Sequence, residues 1–168
     1  ITSLSTDAEE KNWIPKNFPF LKSLKCENTQ NFEELAGLKH LETLTFIIRG
    51  YTHEFSIPAN VKNLDILACG DYNRSIISEM TKLEKLTVRS FDCPAWLCEF
   101  LKRPKTHLKL LSLRPSGNQL SEHLRRILLE NREKFEKLEI FGMELNEKLE
   151  STKVAVNYNY DNTFSGTF

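Results

Sequence analysis

The chain has 168 residues, enough for about one domain of ordinary size. Hydrophobic residues make up 40% and charged residues 27%, which is the composition of a globular protein. Because 23 Lys and Arg residues balance 23 Asp and Glu residues, the positive field expected of a nucleic-acid or anionic-membrane binder is absent. No stretch approaches the roughly 18 uninterrupted apolar residues of a membrane span, so no membrane span is expected.

The amino-terminal residues 1–17 are expected to form a cap or linker, with Trp13 and Ile14 at the start of the cover over the first repeat. They lack the basic and then apolar regions of a signal peptide. The chain begins at Ile1 rather than Met, which leaves open that a leader or a neighbouring domain precedes it.

Six segments with the spacing L-x-x-L-x-L follow, where each L is a leucine-like residue. Their first positions are separated by 20, 20, 22, 25 and 27 residues, intervals typical of a repeat protein. In L-x-L the two apolar side chains lie on one face of a strand and the residue between them lies on the other. The predicted core triplets are Leu21-Leu24-Cys26, Leu41-Leu44-Phe46, Val61-Leu64-Ile66, Leu83-Leu86-Val88, Leu108-Leu111-Leu113 and Phe135-Leu138-Ile140.

These segments resemble the leucine-rich repeat (LRR) family, whose unit LxxLxLxx(N/C)xL is a short parallel strand with a helical or irregular return. The resemblance covers about residues 18–143. Four units also carry an apolar residue three positions before the first leucine: Phe18, Leu38, Pro58 and Met80. The column in which the family places Asn or Cys departs from the pattern and reads Thr29, Arg49, Cys69, Phe91, Ser116 and Met143.

The chain is therefore identified as an irregular member with six degenerate units. The resemblance implies an α/β fold, a leucine-rich repeat solenoid. It would place a short curved parallel β-sheet on the concave side and irregular or helical returns on the convex side.

Helical returns are predicted in the second half of the chain. Asp92-Cys-Pro94 has the Asp and the early Pro with which helices begin. The stretch from Gly117 to Phe135 is amphipathic, with its apolar face formed by Leu120, Leu124, Ile127 and Leu128.

Residues 144–168 change composition and are predicted to be a carboxy-terminal cap and tail. Alternation of apolar and polar residues in that segment fits either an extra edge strand or an extended, loosely held tail. The apolar and aromatic residues of the alternation are Val154, Val156, Tyr158 and Tyr160.

The sequence contains no constellation of catalytic residues, and no enzyme activity, cofactor or metal is expected. The histidines lie in different units, none spaced with another as a zinc pair, and glycine-rich phosphate loops are lacking. Four cysteines are too sparse for a disulfide scaffold, which favours structural thiols and an intracellular location, cytoplasmic or nuclear. The cysteines are Cys26, Cys69, Cys93 and Cys98, and the histidines are His40, His53, His107 and His123.

A binding surface is predicted where side chains alternate with the buried leucines. The column directly after each strand core begins with Glu27 and continues with an apolar pair, two neighbouring arginines and an aromatic residue. Such residues are typical interface anchors, and a protein partner with apolar and acidic groups would suit them. The predicted binding residues of this column are Ile47, Leu67, Arg89, Arg114 and Phe141, with Asp65 and Glu139 setting orientation from the adjacent column.

The leading hypothesis is a non-catalytic module that recognises a protein partner on the concave face of the arc. A more specific version is the substrate-receptor repeat region of a ubiquitin-ligase subunit, which would need an adaptor-binding box upstream of residues 1–17. An RNA-associated or nuclear-export repeat domain is a second class, disfavoured by the zero net charge. A structural or autoinhibitory segment of a larger receptor is a third. The oligomeric state is left open.

Overall fold

The computed structural model describes residues 1–6, 13–27, 35, 37–49, 57–69, 80–89, 95–103, 107–116 and 120–141. Within these ranges the chain forms seven strands and three α-helices, and a short 3₁₀ turn at Arg132–Lys134. In chain order the elements are β1 (Ser3–Thr6), α1 (Trp13–Asn17), β2 (Ser23–Glu27), β3 (Thr43–Arg49), β4 (Asn63–Cys69), β5 (Lys85–Arg89), α2 (Ala95–Lys102), β6 (Leu108–Arg114), α3 (Glu122–Glu130) and β7 (Phe135–Ile140).

The seven strands form one parallel sheet in which spatial order equals chain order, β1 to β7. The predicted register is confirmed, because the second leucine-like residue of each segment pairs with its counterpart on the next strand. The aligned residues are Leu24, Leu44, Leu64, Leu86, Leu111 and Leu138. The α/β class with a single parallel sheet is thus confirmed.

All eighteen residues of the six predicted core triplets are buried, and the most accessible of them, Leu83, is only 5% exposed. They belong to one continuous core that also includes buried residues of α1, α2 and α3. Burying a side chain of this size contributes about 1.5 to 3 kcal/mol relative to leaving it in water. The helices therefore cover the same face of the sheet into which the leucines point.

The same turn precedes the strands β2, β3 and β4. In this turn, the first leucine-like residue of the segment donates its amide to the carbonyl of the extra apolar residue three positions earlier. The N···O distances are 3.1 Å for Leu21 to Phe18, Leu41 to Leu38 and Val61 to Pro58. Leu38 and Pro58 are buried, and Phe18 and Met80 pack partly buried against the core. The extended L-x-x-L-x-x-L-x-L pattern therefore has a structural cause at its first position.

The two longer helices lie in the return segments for which the sequence predicts helices. Helix α2 buries Trp96, Leu97, Cys98, Phe100 and Leu101. The residues 92–94 that were predicted to begin it lie outside the described part of the chain.

Helix α3 confirms the predicted apolar face, with Leu124, Ile127 and Leu128 buried on it and Leu120 buried just before it. Ser121 caps its first turn by accepting a hydrogen bond from the Leu124 amide at 3.2 Å. The helix is shorter than the amphipathic stretch, because Asn131 ends it by donating through Nδ2 to the Ile127 carbonyl at 2.8 Å. Phe135 is consequently free to begin β7.

The amino-terminal segment contains a strand that the sequence pattern does not predict. Residues Ser3–Thr6 pair in parallel with Ser23–Cys26 of β2 and form one edge of the sheet. Leu4 of β1 is partly buried and packs against the core, and Ile14 of α1 is fully buried. A strand of three hydroxyl residues and one leucine has too little alternation to be recognised from sequence.

Several sequence predictions fall on residues outside the described part. The tail from residue 142 onward, with its alternating Val and Tyr residues, is among them, as are His53 and Cys93. Cys26 and Cys98 are buried thiols. In the described residues, no helix is both long enough and apolar enough to span a bilayer.

Candidate functional site

The face of the sheet turned away from the helices is called the open face here. It consists of the strand residues that alternate with the buried ones, in three columns that cross the strands. The first column reads Ser23, Thr43, Asn63, Lys85, Leu110 and Lys137. The second reads Lys25, Thr45, Asp65, Thr87, Ser112 and Glu139.

The third column contains the predicted site, and the structure brings its members together. Ile47, Leu67, Arg89 and Arg114 are successive Cα partners on β3, β4, β5 and β6. Phe141 completes the row, since its amide donates to the Leu113 carbonyl at 3.0 Å. Neighbours in such a row are roughly 4.8 Å apart, so the five residues form one continuous strip.

One end of the strip is aliphatic, and its two charged residues lie toward the other end. Ile47 and Leu67 are both half-buried and lie side by side, while Arg114 is exposed. Lys25 is the only charged residue among the open-face side chains that the structure describes on β1 to β3. Among the open-face side chains that the structure describes, the charges are therefore concentrated on β4 to β7.

The sequence places Arg89 and Arg114 side by side on β5 and β6, and each has a partner on its other side. Arg89 forms a two-pronged ion pair with Asp65 of β4, in which Nε donates to Oδ1 at 3.0 Å and Nη2 donates to Oδ2. Arg114 instead places its Cζ 4.2 Å from the centre of the Phe141 ring. The two guanidinium groups thus turn to opposite sides, which relieves their repulsion.

Glu139, predicted to set orientation, is engaged within its own strand. Its Oε1 lies 2.5 Å from Lys137 Nζ, and its side chain is only 14% exposed. Its neighbour in the row, Ser112, is buried at 4% exposure. Asp65 and Glu139 are thus both neutralised by cations of this chain.

Two lysines that the sequence analysis did not select belong to the same region. Lys85 and Lys137 are exposed in the first column, one on each side of Leu110. The sequence signal was present, because that column carries two lysines within three strands. It was overlooked because the third column holds the larger anchor residues.

A second regular feature lies at the beginning of the strands, where charges of opposite sign alternate from one strand to the next. Glu42 lies 3.6 Å from Lys62, and Glu84 accepts a hydrogen bond from Lys109 at 2.8 Å. That hydrogen bond lowers the pKa of Glu84 and raises the pKa of Lys109. The full series, which we call the charge ladder, is Lys22, Glu42, Lys62, Glu84, Lys109 and Glu136.

The backbone at the charge ladder repeats as regularly as the side chains. The carbonyls of Thr2, Lys22, Glu42, Lys62 and Glu84 each accept two amide hydrogen bonds from the next strand. A slip of one residue along a strand would move each charge away from its opposite on the next strand, so the ladder favours the observed register. In the sequence the ladder is visible as a change of charge sign at this position from one L-x-x-L-x-L segment to the next.

The described residues do not bring candidate metal ligands together. In these ranges, no group of three or more His, Cys, Asp or Glu residues could hold a metal ion. His40 is exposed and lies against Phe20, with ring centres 5.3 Å apart. His107 and His123 are exposed as well, each on a different element.

Comparisons with known proteins add no identification. No model of a protein family matches the chain, and no curated protein or solved structure shows significant similarity to it.

Proposed function

We propose that this chain is a non-catalytic recognition module that binds a protein partner on the open face of its sheet. The observation that carries the proposal is the strip formed by Ile47, Leu67, Arg89, Arg114 and Phe141. It joins aliphatic, cationic and aromatic side chains on a rigid surface, and such residues contribute most of the energy of protein interfaces.

The proposal includes the leucine-rich repeat assignment. In this view the seven-stranded sheet is the concave side of a solenoid and the helical returns form its convex side. Support comes from the equivalent turns before β2, β3 and β4 and from the paired amide hydrogen bonds at each strand start. Since every unit contacts only its neighbours, such a fold presents one long surface to a partner.

We further propose an intracellular location. Two observations support it: the chain has only four cysteines, and both cysteines with described side chains, Cys26 and Cys98, are buried thiols. A reducing compartment keeps such thiols intact.

The test is affinity capture from a lysate with the wild-type chain and with two double variants. Ile47→Ser with Arg114→Glu changes one aliphatic and one cationic residue of the open face. Leu129→Ser with Arg126→Glu makes the same chemical changes on helix α3, where both residues are exposed. The captured protein is identified by mass spectrometry, purified and titrated against all three chains.

The proposal expects the open-face variant to lose several kcal/mol of binding free energy, as hot-spot residues do. The α3 variant should bind like the wild type. Both variants should still show cooperative thermal unfolding, because Ile47 is only half-buried and the other three changed residues are exposed. Loss of binding only in the α3 variant would assign function to the helical side. Capture that disappears after nuclease treatment would instead favour the RNA-associated class.

A further inference from the structure

We infer that the open face recognises an acidic protein segment through the cations of β5 and β6, chiefly Lys85 and Arg114. This inference rests on the proposed function and adds the chemistry of the partner. It follows from which charges of the face are already neutralised within the chain and which are not.

Strands β4 to β7 carry four cations and two carboxylates on the open face. Both carboxylates are engaged: Asp65 by Arg89 and Glu139 by Lys137. Among the residues that the structure describes, neither Lys85 nor Arg114 forms an ion pair on the open face, although both are exposed. The chain as a whole has no net charge, so this excess of positive charge is a local property of the face.

The position of Lys85 sharpens the inference. Glu84 precedes it, and the Glu84 carboxylate accepts its hydrogen bond from Lys109 of the charge ladder. That hydrogen bond is the largest cause of the lowered pKa of Glu84, and the charge of Lys85 is the smallest. The ammonium group of Lys85 therefore keeps its hydrogen-bonding capacity for a carboxylate from outside the chain.

The two cations are also spaced for an extended segment. Arg114 is the Cα partner of Arg89, which lies four residues after Lys85 on β5. Four residues of strand span about 13 Å. An extended chain lying along β5 and β6 could thus present acidic residues at positions i and i+4, one to each cation.

An acidic protein segment fits better than a nucleic acid. Tight binding of a nucleic acid draws on many phosphate contacts and on aromatic faces for base stacking. Here two cations remain without a carboxylate, and the guanidinium of Arg114 lies over the Phe141 ring. The adjacent aliphatic pair, Ile47 and Leu67, suits side chains of a protein.

The experiment measures binding of fluorescent probes to the full chain by anisotropy at low and at physiological salt. The probes are a ten-residue peptide with Glu at positions i and i+4 and Leu beyond them, its Glu→Gln counterpart, and a single-stranded oligonucleotide of equal length. The variants are Lys85→Ser with Arg114→Ser and, as a control of equal charge change, Lys16→Ser with Lys82→Ser. Lys16 and Lys82 are exposed lysines away from the open face.

We expect the Glu peptide to bind, the Gln peptide to bind at least several-fold more weakly, and the Lys85/Arg114 variant to lose about tenfold in affinity. The control variant should keep wild-type affinity. Equal losses in both variants, or tighter binding of the oligonucleotide than of the Glu peptide, would overturn the inference.

Binding of the partner from the capture experiment distinguishes a failure of the acidic-segment inference from a failure of the proposed function. If the Ile47/Arg114 variant loses that partner while Lys85→Ser alone and the Glu peptide have no effect on it, the acidic-segment inference fails and the proposed function stands. If neither variant affects the partner, both proposals fail. Competition of the partner by the Glu peptide supports both.

Discussion

The amino-terminal strands β1 to β4 and the carboxy-terminal strands β5 to β7 differ on the open face and agree on the buried one. On the buried face, leucine or another apolar residue occupies each equivalent position from β2 through β7. On the open face, hydroxyl and aliphatic residues dominate β1 to β4, whereas Lys85, Arg89, Arg114 and Lys137 make β5 to β7 basic. Packing constrains the first face, and the second is available for recognition.

The returns differ between the halves as well. The first intervals between repeats are 20 residues, and the last two are 25 and 27. The longer returns contain α2 and α3, and Lys134 ties them together by donating to the carbonyls of Leu101 and Arg103, each at 2.9 Å. The additional residues of the longer returns therefore form helices that enlarge the core, and the parallel order of the strands is unchanged.

The largest expected effect tests whether the halves share one core. Leu86 lies on β5, at the junction, and is fully buried. Leu86→Ala should lower the free energy of unfolding by about 2 to 5 kcal/mol, because the structure cannot fully close the cavity. Denaturant unfolding should still show a single transition for both halves. A loss below about 0.5 kcal/mol would mean that the register is wrong.

A smaller effect tests the helical half alone. Ser121→Ala removes the hydroxyl that accepts from the Leu124 amide and should cost about 1 kcal/mol. Ser121→Asp should restore most of that stability, since Asp caps helices as well as Ser does. Ser116→Ala, at an exposed serine, is the matched control and should stay within about 0.5 kcal/mol of the wild type. A cost as large for the control would remove the capping explanation.

The smallest effect concerns the charge ladder, which crosses both halves. The hydrogen bond from Lys109 lowers the pKa of Glu84 in the folded chain. Its contribution to stability is therefore present above the pKa of the unfolded carboxyl group and is lost as the pH falls through the lowered one. Glu84→Gln should flatten the acid side of the stability profile slightly.

Thermal unfolding across the acid range measures this change, and raised salt should reduce it because the pair is exposed. Glu133→Gln, at an exposed carboxylate of the 3₁₀ turn, is the control and should leave the profile unchanged. An identical change in both variants would show that the ladder has no specific role.

The sequence alone determined six of the seven strands, β2 to β7, together with their register and their buried face. The L-x-x-L-x-L spacing places apolar residues on one side of every strand, and burial leaves little freedom in how such strands align. The amphipathic pattern likewise located α3, although its end at Asn131 depended on a cap that the pattern does not encode. Strand β1 was missed because Ser3, Ser5 and Thr6 give no apolar alternation.

The membership of the strip was also determined by the sequence, since residues at equal positions in aligned repeats must share a face. Only the tertiary structure decided how its charges are distributed. Arg89 pairs with Asp65 on the neighbouring strand β4, and Arg114 lies over Phe141, which directly follows β7. Lys85 has no partner among the described residues of the open face. Register places backbones about 4.8 Å apart, but a long side chain can reach neighbours on either side. Which neighbour it takes depends on side-chain conformations in three dimensions, and no spacing in the sequence encodes them.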